Sequence, residues 1–396
     1  MAKALACSMK SFGLASRMGW LGLLLAALGC DGTETPTQPG TGGNAPGSGG
    51  TNATGGKATG GGNSGGTPSG GVSTGGKATG GTASGGKATG GTATTGCGTK
   101  NMNPFGCTFA WGAPSSGSNY SQLNFVSTWV GDETNGGLNS WSATGTNNSC
   151  GDCSLVQTVA GTSSMVVFYT YFIGFQACKM GGYCDCNTDP TPNLCSNGAQ
   201  WIRDNRAQII RAYGEYARVV YARSPNKPVI WWLEGDFPQY NATSQSNPLS
   251  YAELGQLTRD ITCAIKSNEP NAVVASNHAP WLANDVTTGF WGAQPTDVLD
   301  LIWVQGAGDT DAFPNSGSYN ATTANYAWLH SNTGLKIMAE TSYQSSSSGD
   351  RWSTTTAANI NARIANGVIG VLVNQPPSNY QSAFTALNSS LNSTCN

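Results

Sequence analysis

From residue 165 onward, short apolar runs alternate with longer stretches of helical period, and this constrains the fold more than any other feature. Met165-Val-Val-Phe-Tyr-Thr-Tyr-Phe-Ile173 is β-branched and aromatic, the composition of a strand. Residues 197–222 place Ile202, Ile209, Ile210, Tyr213, Tyr216 and Val220 at helical spacing against Arg203, Arg206, Arg211 and Arg218. Pro228–Glu234 reads as the next strand, stopped by Gly235, and a helix follows at 250–267. Strands are then expected at Ala272–Ser276, Leu299–Val304, Leu335–Glu340 and Val368–Val373, with helices near 321–332, 355–366 and 379–391.

Strand and helix in regular alternation call for a parallel sheet. Cys107–Trp111 and a stretch near Phe125–Val130 supply two earlier strands, so about eight βα units occupy some 300 residues, the proportions of a (β/α)8 TIM barrel. A doubly wound open sheet is the competing architecture. It ordinarily carries a Gly-rich phosphate turn after its first strand, and Phe109-Ala-Trp-Gly-Ala-Pro114 is not one.

The barrel accounts for residues 97–396 only. Residues 1–29 read as a signal peptide: Lys3, Lys10 and Arg17 precede the apolar run Trp20–Leu28, which is too short for a membrane span. Ala27-Leu28-Gly29-Cys30 is similar to a bacterial lipobox, with Cys30 as the lipidated residue; ordinary signal cleavage nearby is the alternative. Residues 30–96 form a linker in which TGGKATGG-like units recur around Lys57, Lys77 and Lys87, and residues 40–96 hold no aromatic, Leu or Ile. Such a segment buries too little to offset its ordering entropy and is expected to be a flexible spacer. The chain is therefore expected to be secreted or held at the cell envelope, touching a membrane only through that anchor, and to be monomeric. With 19 basic against 21 acidic residues, nothing points to nucleic acid as a partner.

Beyond Cys7 and Cys30 lie ten cysteines: Cys97, Cys107, Cys150, Cys153, Cys178, Cys184, Cys186, Cys195, Cys263 and Cys395. An even number in an exported chain reads as disulfides. Cys178, Cys184, Cys186 and Cys195 are expected to form two bridges in the loop after the third strand and Cys150–Cys153 a local one, with the other four cysteines closing the remaining pairs. Zinc would favour two CxxC pairs, and only Cys150–Cys153 has that form. Asp185-Cys-Asn187-Thr-Asp189 lacks the Gly and Glu of a calcium loop. No metal and no cofactor is expected.

A barrel of this kind places its chemistry at the C-terminal ends of its strands. Those ends carry Trp111, Tyr171, Glu234 with Asp236, Asn277 with His278, Gln305, Glu340, and Asn374 with Gln375. Wet loops explain some polar strand ends, but less well two glutamates that end very apolar strands. By alternation Glu234 shares a face with Ile230 and Trp232, and Glu340 shares one with Lys336 and Met338, so both carboxylates are expected over the barrel mouth. Facing carboxyl groups are what glycoside hydrolysis requires. Trp232, Trp281, Trp291 and Tyr343 join the candidate sugar contacts, since a pyranose presents an apolar face to an aromatic ring; core packing is the competing role, favoured for Trp303. His278 and His330 build no triad, and no Gly-x-Ser-x-Gly elbow exists in the domain.

With Trp231-Trp-Leu-Glu234 on the fourth strand and Ile337-Met-Ala-Glu340 on the seventh, the layout resembles the clan of retaining (β/α)8 glycoside hydrolases. That resemblance implies Glu234 as acid/base, Glu340 as nucleophile and a polysaccharide, such as a β-glucan, as substrate. The clan's Asn before the acid/base is here Leu233, leaving Asn277, His278 or Asn374 for the sugar hydroxyl. Glu234-Gly-Asp236-Phe-Pro-Gln239-Tyr240 is also similar to a Glu-x-Asp-(Phe/Tyr)-x-Gln-Tyr stretch in secreted fungal and bacterial proteins, some fused to cellulose-binding modules. That likeness adds Asp236 to the catalytic candidates. A barrel that binds carbohydrate without cleaving it is the competing function.

Overall fold

The computed structural model describes residues 97–115, 122–131, 153–184, 186, 193–241, 246–306, 324–341 and 352–395. Eight parallel strands close into a barrel in sequence order: β1 (Ala110–Pro114), β2 (Phe125–Val130), β3 (Met165–Thr170), β4 (Val229–Leu233), β5 (Val273–His278), β6 (Leu301–Val304), β7 (Lys336–Glu340) and β8 (Val368–Leu372). The closing pair, β1 with β8, sets Trp111 opposite Val371. The fold is thus the (β/α)8 barrel, not the open sheet, and β2 has the bounds read from the sequence. β1 lies later than expected: Cys107 is disulfide-bonded to Cys395 ahead of the strand, which begins at Ala110.

The helices are α1 (Cys153–Ala160), α2 (Phe172–Gln176), α3 (Leu194–Asn197), α4 (Ala199–Arg223), α5 (Tyr251–Asn268), α6 (Asn284–Ala293), α7 (Tyr326–Thr333), α8 (Ala357–Ala365) and α9 (Tyr380–Asn388). α5 opens with a capping box: the Ser250 side chain accepts from the Glu253 N–H, and Glu253 reaches back to the Ser250 N–H. α6 lies where no helix is expected from the sequence, and Trp291, a candidate sugar contact, lies within it.

Alternation sorts the strand side chains into two cores. Ile230, Trp232, Tyr169, Leu301, Trp303 and Met338 fill the barrel, while Trp231, Leu233, Val274, Ile302 and Ile337 face the helices. Beneath the barrel, Phe105 packs on Phe125 at 5.4 Å between ring centroids. The arm carrying Phe105 is tied down by the Cys97–Cys263 and Cys107–Cys395 disulfides. It also meets a fully buried ion pair, Lys266–Asp300 at 2.8 Å, in which Asp300 accepts from the Asn101 and Val274 N–H groups. Burial costs such a pair its hydration, and the extra hydrogen bonds offset that.

Cys178–Cys184 and Cys186–Cys195 staple the segment after β3 into two small loops, as expected. Cys153 is disulfide-bonded too; Cys150 lies outside the described residues, as do Cys30, Tyr343, the signal segment and the linker.

Candidate active site

Glu340 ends β7 and is directed into the barrel mouth. Its Oε2 accepts from the Trp303 indole at 2.9 Å, and its Oε1 from the Asn374 amide at 2.8 Å. Trp303 lies on the barrel-filling face of β6, so alternation holds for Glu340 as expected. The residue is 1% exposed. Burial pushes its pKa up to about 8, against the pull of the Asn374 and Trp303 hydrogen bonds, so it carries a proton at neutral pH. Asn374 is held in turn: its backbone N–H donates to the Thr341 hydroxyl at 2.9 Å, and its amide also donates to the Thr341 carbonyl.

Glu234 does something different. Its φ is +34°, in the left-handed region, and among described residues other than glycine it alone has positive φ. The strand's alternation therefore stops at Leu233, and the carboxylate swings outward. It accepts from the Ile173 N–H at 2.8 Å, the Gly174 N–H at 3.4 Å, the Tyr213 hydroxyl at 2.6 Å and the Tyr240 hydroxyl at 3.2 Å. Tyr213 and Tyr240 both belong to the core between barrel and helices. Tyr213 also meets Thr170, whose hydroxyl donates to the Trp232 carbonyl. Burial pushes Glu234 up to about 7 despite these four donors. Left-handed backbone costs an L-residue of this type roughly 1–2 kcal/mol, which the four hydrogen bonds offset.

The next two residues return to the mouth. A Cβ on Gly235 would lie 1.7 Å from the Tyr169 hydroxyl, so only glycine passes there. The Gly235 carbonyl accepts from the Asn277 amide, whose Oδ1 accepts from the Trp232 indole at 3.0 Å. Asp236 follows, half-buried: Oδ2 accepts from the Tyr171 hydroxyl, and Oδ1 from the Gln239 amide at 2.8 Å. In the Glu-Gly-Asp sequence, then, the glutamate turns out, the glycine slips under Tyr169, and the aspartate faces the rim.

The sugar-contact candidates divide. Tyr171, Trp232, Asn277, Gln305 and Asn374 gather around the mouth, with Gln305 donating to the Tyr169 hydroxyl at 3.3 Å. Three others do not join them. Trp111 faces outward, donates to Asn388 at 2.7 Å and stacks on Phe384 of α9; it is the second residue of β1, not its end. His278 points to the helix side of β5 and accepts at Nδ1 from the Trp291 indole at 3.0 Å. Burial pushes His278 down to about 3, so it stays neutral. Trp291 is spent on that bond and is buried. Trp281 is half-buried in the turn before α6. Tyr169, Tyr213 and Tyr240 also build the site; Tyr169 is legible in sequence as an inward aromatic two residues beyond Val167, the two others only through contacts.

Among the described residues no group of three or more His, Cys, Asp or Glu side chains is placed to hold a metal ion. No protein-family profile and no curated protein matches the sequence. Solved structures do match in chain course. A GH26 β-mannanase from Bacteroides ovatus is 11% identical over 72% of this chain and 89% of its own, with a TM-score of 0.47. A Cellulomonas fimi endo-β-1,4-mannanase is 12% identical over 71% and 70%, at 0.45. A Rhizomucor miehei chitinase is 11% identical over 70% and 98%, at 0.39. Likeness at this level leaves the chemistry to be argued from the site's own residues.

Proposed function

We propose that the protein is a glycoside hydrolase acting on a polysaccharide, with Glu340 and Asp236 as its working carboxylates. The observation that carries this reading is the Glu340 site: a buried, proton-holding carboxyl at the C-terminal end of a barrel strand, oriented by Trp303 and Asn374. Enzymes that cleave glycosidic bonds pair one carboxyl kept protonated by its surroundings with another that is ionised. Glu340 supplies the first. Asp236, half-buried at the same rim and accepting from the Tyr171 hydroxyl and the Gln239 amide, is the second carboxyl of the pair.

In this reading Glu340 gives its proton to the glycosidic oxygen as the bond to the anomeric carbon breaks. Asp236 attacks that carbon, and the glycosyl ester is cleaved by water, which returns a proton to Glu340 and keeps the configuration. The roles differ from the expected ones, because Glu234 is enclosed by its four donors and Glu340 holds a proton where a nucleophile would be ionised. Glu234 becomes a positioning residue that fixes the end of β4 against α2. The described disulfides support a working place outside the cytoplasm, and the proposed tether is Cys30 through the Gly-rich linker.

The outward turn of Glu234 favours a second reading, a barrel that binds a glycan without cleaving it. Reducing-end release from a panel of soluble polysaccharides separates the two. The enzyme reading expects product from at least one; a glycan retained by the protein, yet cut in no case, supports the binder.

A further inference from the structure

Trp129 is 46% exposed, while the bulky aromatic side chains around it are largely buried. It is the fifth residue of β2, on the inward-facing series with Phe125 and Ser127, and lies opposite Tyr169 of β3, which lies opposite Trp232 of β4. The three rings therefore form one rung across adjacent strands. Trp129 and Tyr169 are 3.7 Å apart between centroids, Tyr169 and Trp232 stack at 3.8 Å, and Trp232 and Trp303 stack at 4.7 Å. The rung ends where the Trp303 indole donates to Glu340. On its other side Trp129 meets the edge of Tyr171, whose hydroxyl donates to Asp236. The one solvent-facing indole of the rung is thus linked by ring contacts to partners of both carboxylates.

We propose that Trp129 is a sugar-stacking platform at the mouth, taking a pyranose ring of the polysaccharide next to the bond that is cut. The inference rests on the glycosidase reading and gives it a subsite. An indole half in water, backed by rigid rings, loses little freedom on binding and offers a flat apolar face. The ligand it suits is a hexopyranose with axial C–H groups on one face and equatorial hydroxyls at its edge. Those hydroxyls would reach the polar groups that flank the rung, Gln305 among them.

Affinity electrophoresis through gels containing soluble glucomannan, galactomannan or hydroxyethyl cellulose tests this without requiring turnover. Wild-type protein should be retarded in at least one gel, and Trp129→Ala should weaken that retention about tenfold, with Trp129→Phe in between. Where hydrolysis is present, kcat/KM should fall by at least a similar factor in Trp129→Ala. Unchanged retention in Trp129→Ala, or no retention of the wild type by any gel, overturns the platform. Absence of hydrolysis with Trp129-dependent retention would overturn the glycosidase reading alone. Circular dichroism of each variant separates loss of a ring from loss of the fold.

Discussion

The ends of β4 and β7 look alike in sequence and behave in opposite ways. Each is an apolar run closed by a glutamate, and each glutamate is buried with its pKa raised. At β7 the backbone stays extended through Glu340, so the carboxyl follows Met338 into the barrel. At β4 one left-handed residue breaks the alternation, and Glu234 joins the tyrosines outside it. A period of two tells which way a side chain points only while the strand lasts. The donors differ as well: Glu340 is held by side chains of the mouth, Glu234 by helix N–H groups and shell hydroxyls.

Asp236→Asn is expected to break the comparison most visibly. Removing the second carboxyl of the pair should lower hydrolysis by roughly 10²–10⁴-fold, measured as reducing-end release, with the melting temperature held within a few degrees. Normal turnover in this variant would return the β4 role to Glu234.

Glu234→Ala should act on stability. It removes the shared acceptor of two hydroxyls and two backbone N–H groups in a buried shell, for a loss of about 3 kcal/mol in chemical denaturation. A loss below about 1 kcal/mol would mean that the shell does not need the carboxyl.

The disulfides sharpen the same contrast between barrel and rim. Cys107–Cys395 spans 288 residues and Cys178–Cys184 spans 6. On loop-closure entropy, serine replacement of the long-range pair should cost about 3 kcal/mol more than replacement of the short one. Equal losses would show that native contacts, not chain closure, set the stabilisation.

The smallest effect is on pH. Glu234, at about 7, Glu269 and Glu340, both at about 8, all lie above the ordinary 4.5, chiefly through burial. The folded state thus holds protons that the unfolded chain has released. Their contribution is complete below about 4.5 and is lost as pH rises through about 7–8. The melting temperature should fall between pH 5 and 9, and less steeply in Glu340→Gln. Hydrolysis should decline on the alkaline side near pH 8, where Glu340 loses its proton. A melting temperature that rises over this range would contradict the burial argument.

Much of the barrel was legible because parallel strands, covered on both faces, read as continuous apolar runs such as Val229–Leu233 and Val368–Leu372. α6 was not, because its helical face is weakly marked and Trp291 looks like a loop aromatic. At the site, Glu340, Asn374, Tyr171 and Asp236 came directly from strand ends. The positive φ of Glu234 did not, because no local sequence rule forces a glutamate into that conformation; Tyr213, Tyr240 and the α2 N–H groups stabilise it, and those are contacts across the fold. Trp111 was misplaced for a simpler reason: β1 runs on to Pro114, so the residue is the strand's second and not its last, and alternation with the inward Ala110 turns its indole to α9.

The most direct test compares Glu340→Gln with Glu234→Gln on the same polysaccharide, under conditions where both are folded by circular dichroism. Glutamine keeps the shape and much of the hydrogen bonding of each site, so the comparison isolates the proton. Hydrolysis should fall by roughly 10²–10⁴-fold in Glu340→Gln and stay within about tenfold of wild type in Glu234→Gln. Full activity in Glu340→Gln, or its loss in Glu234→Gln alone, would contradict a reaction centred on the end of β7.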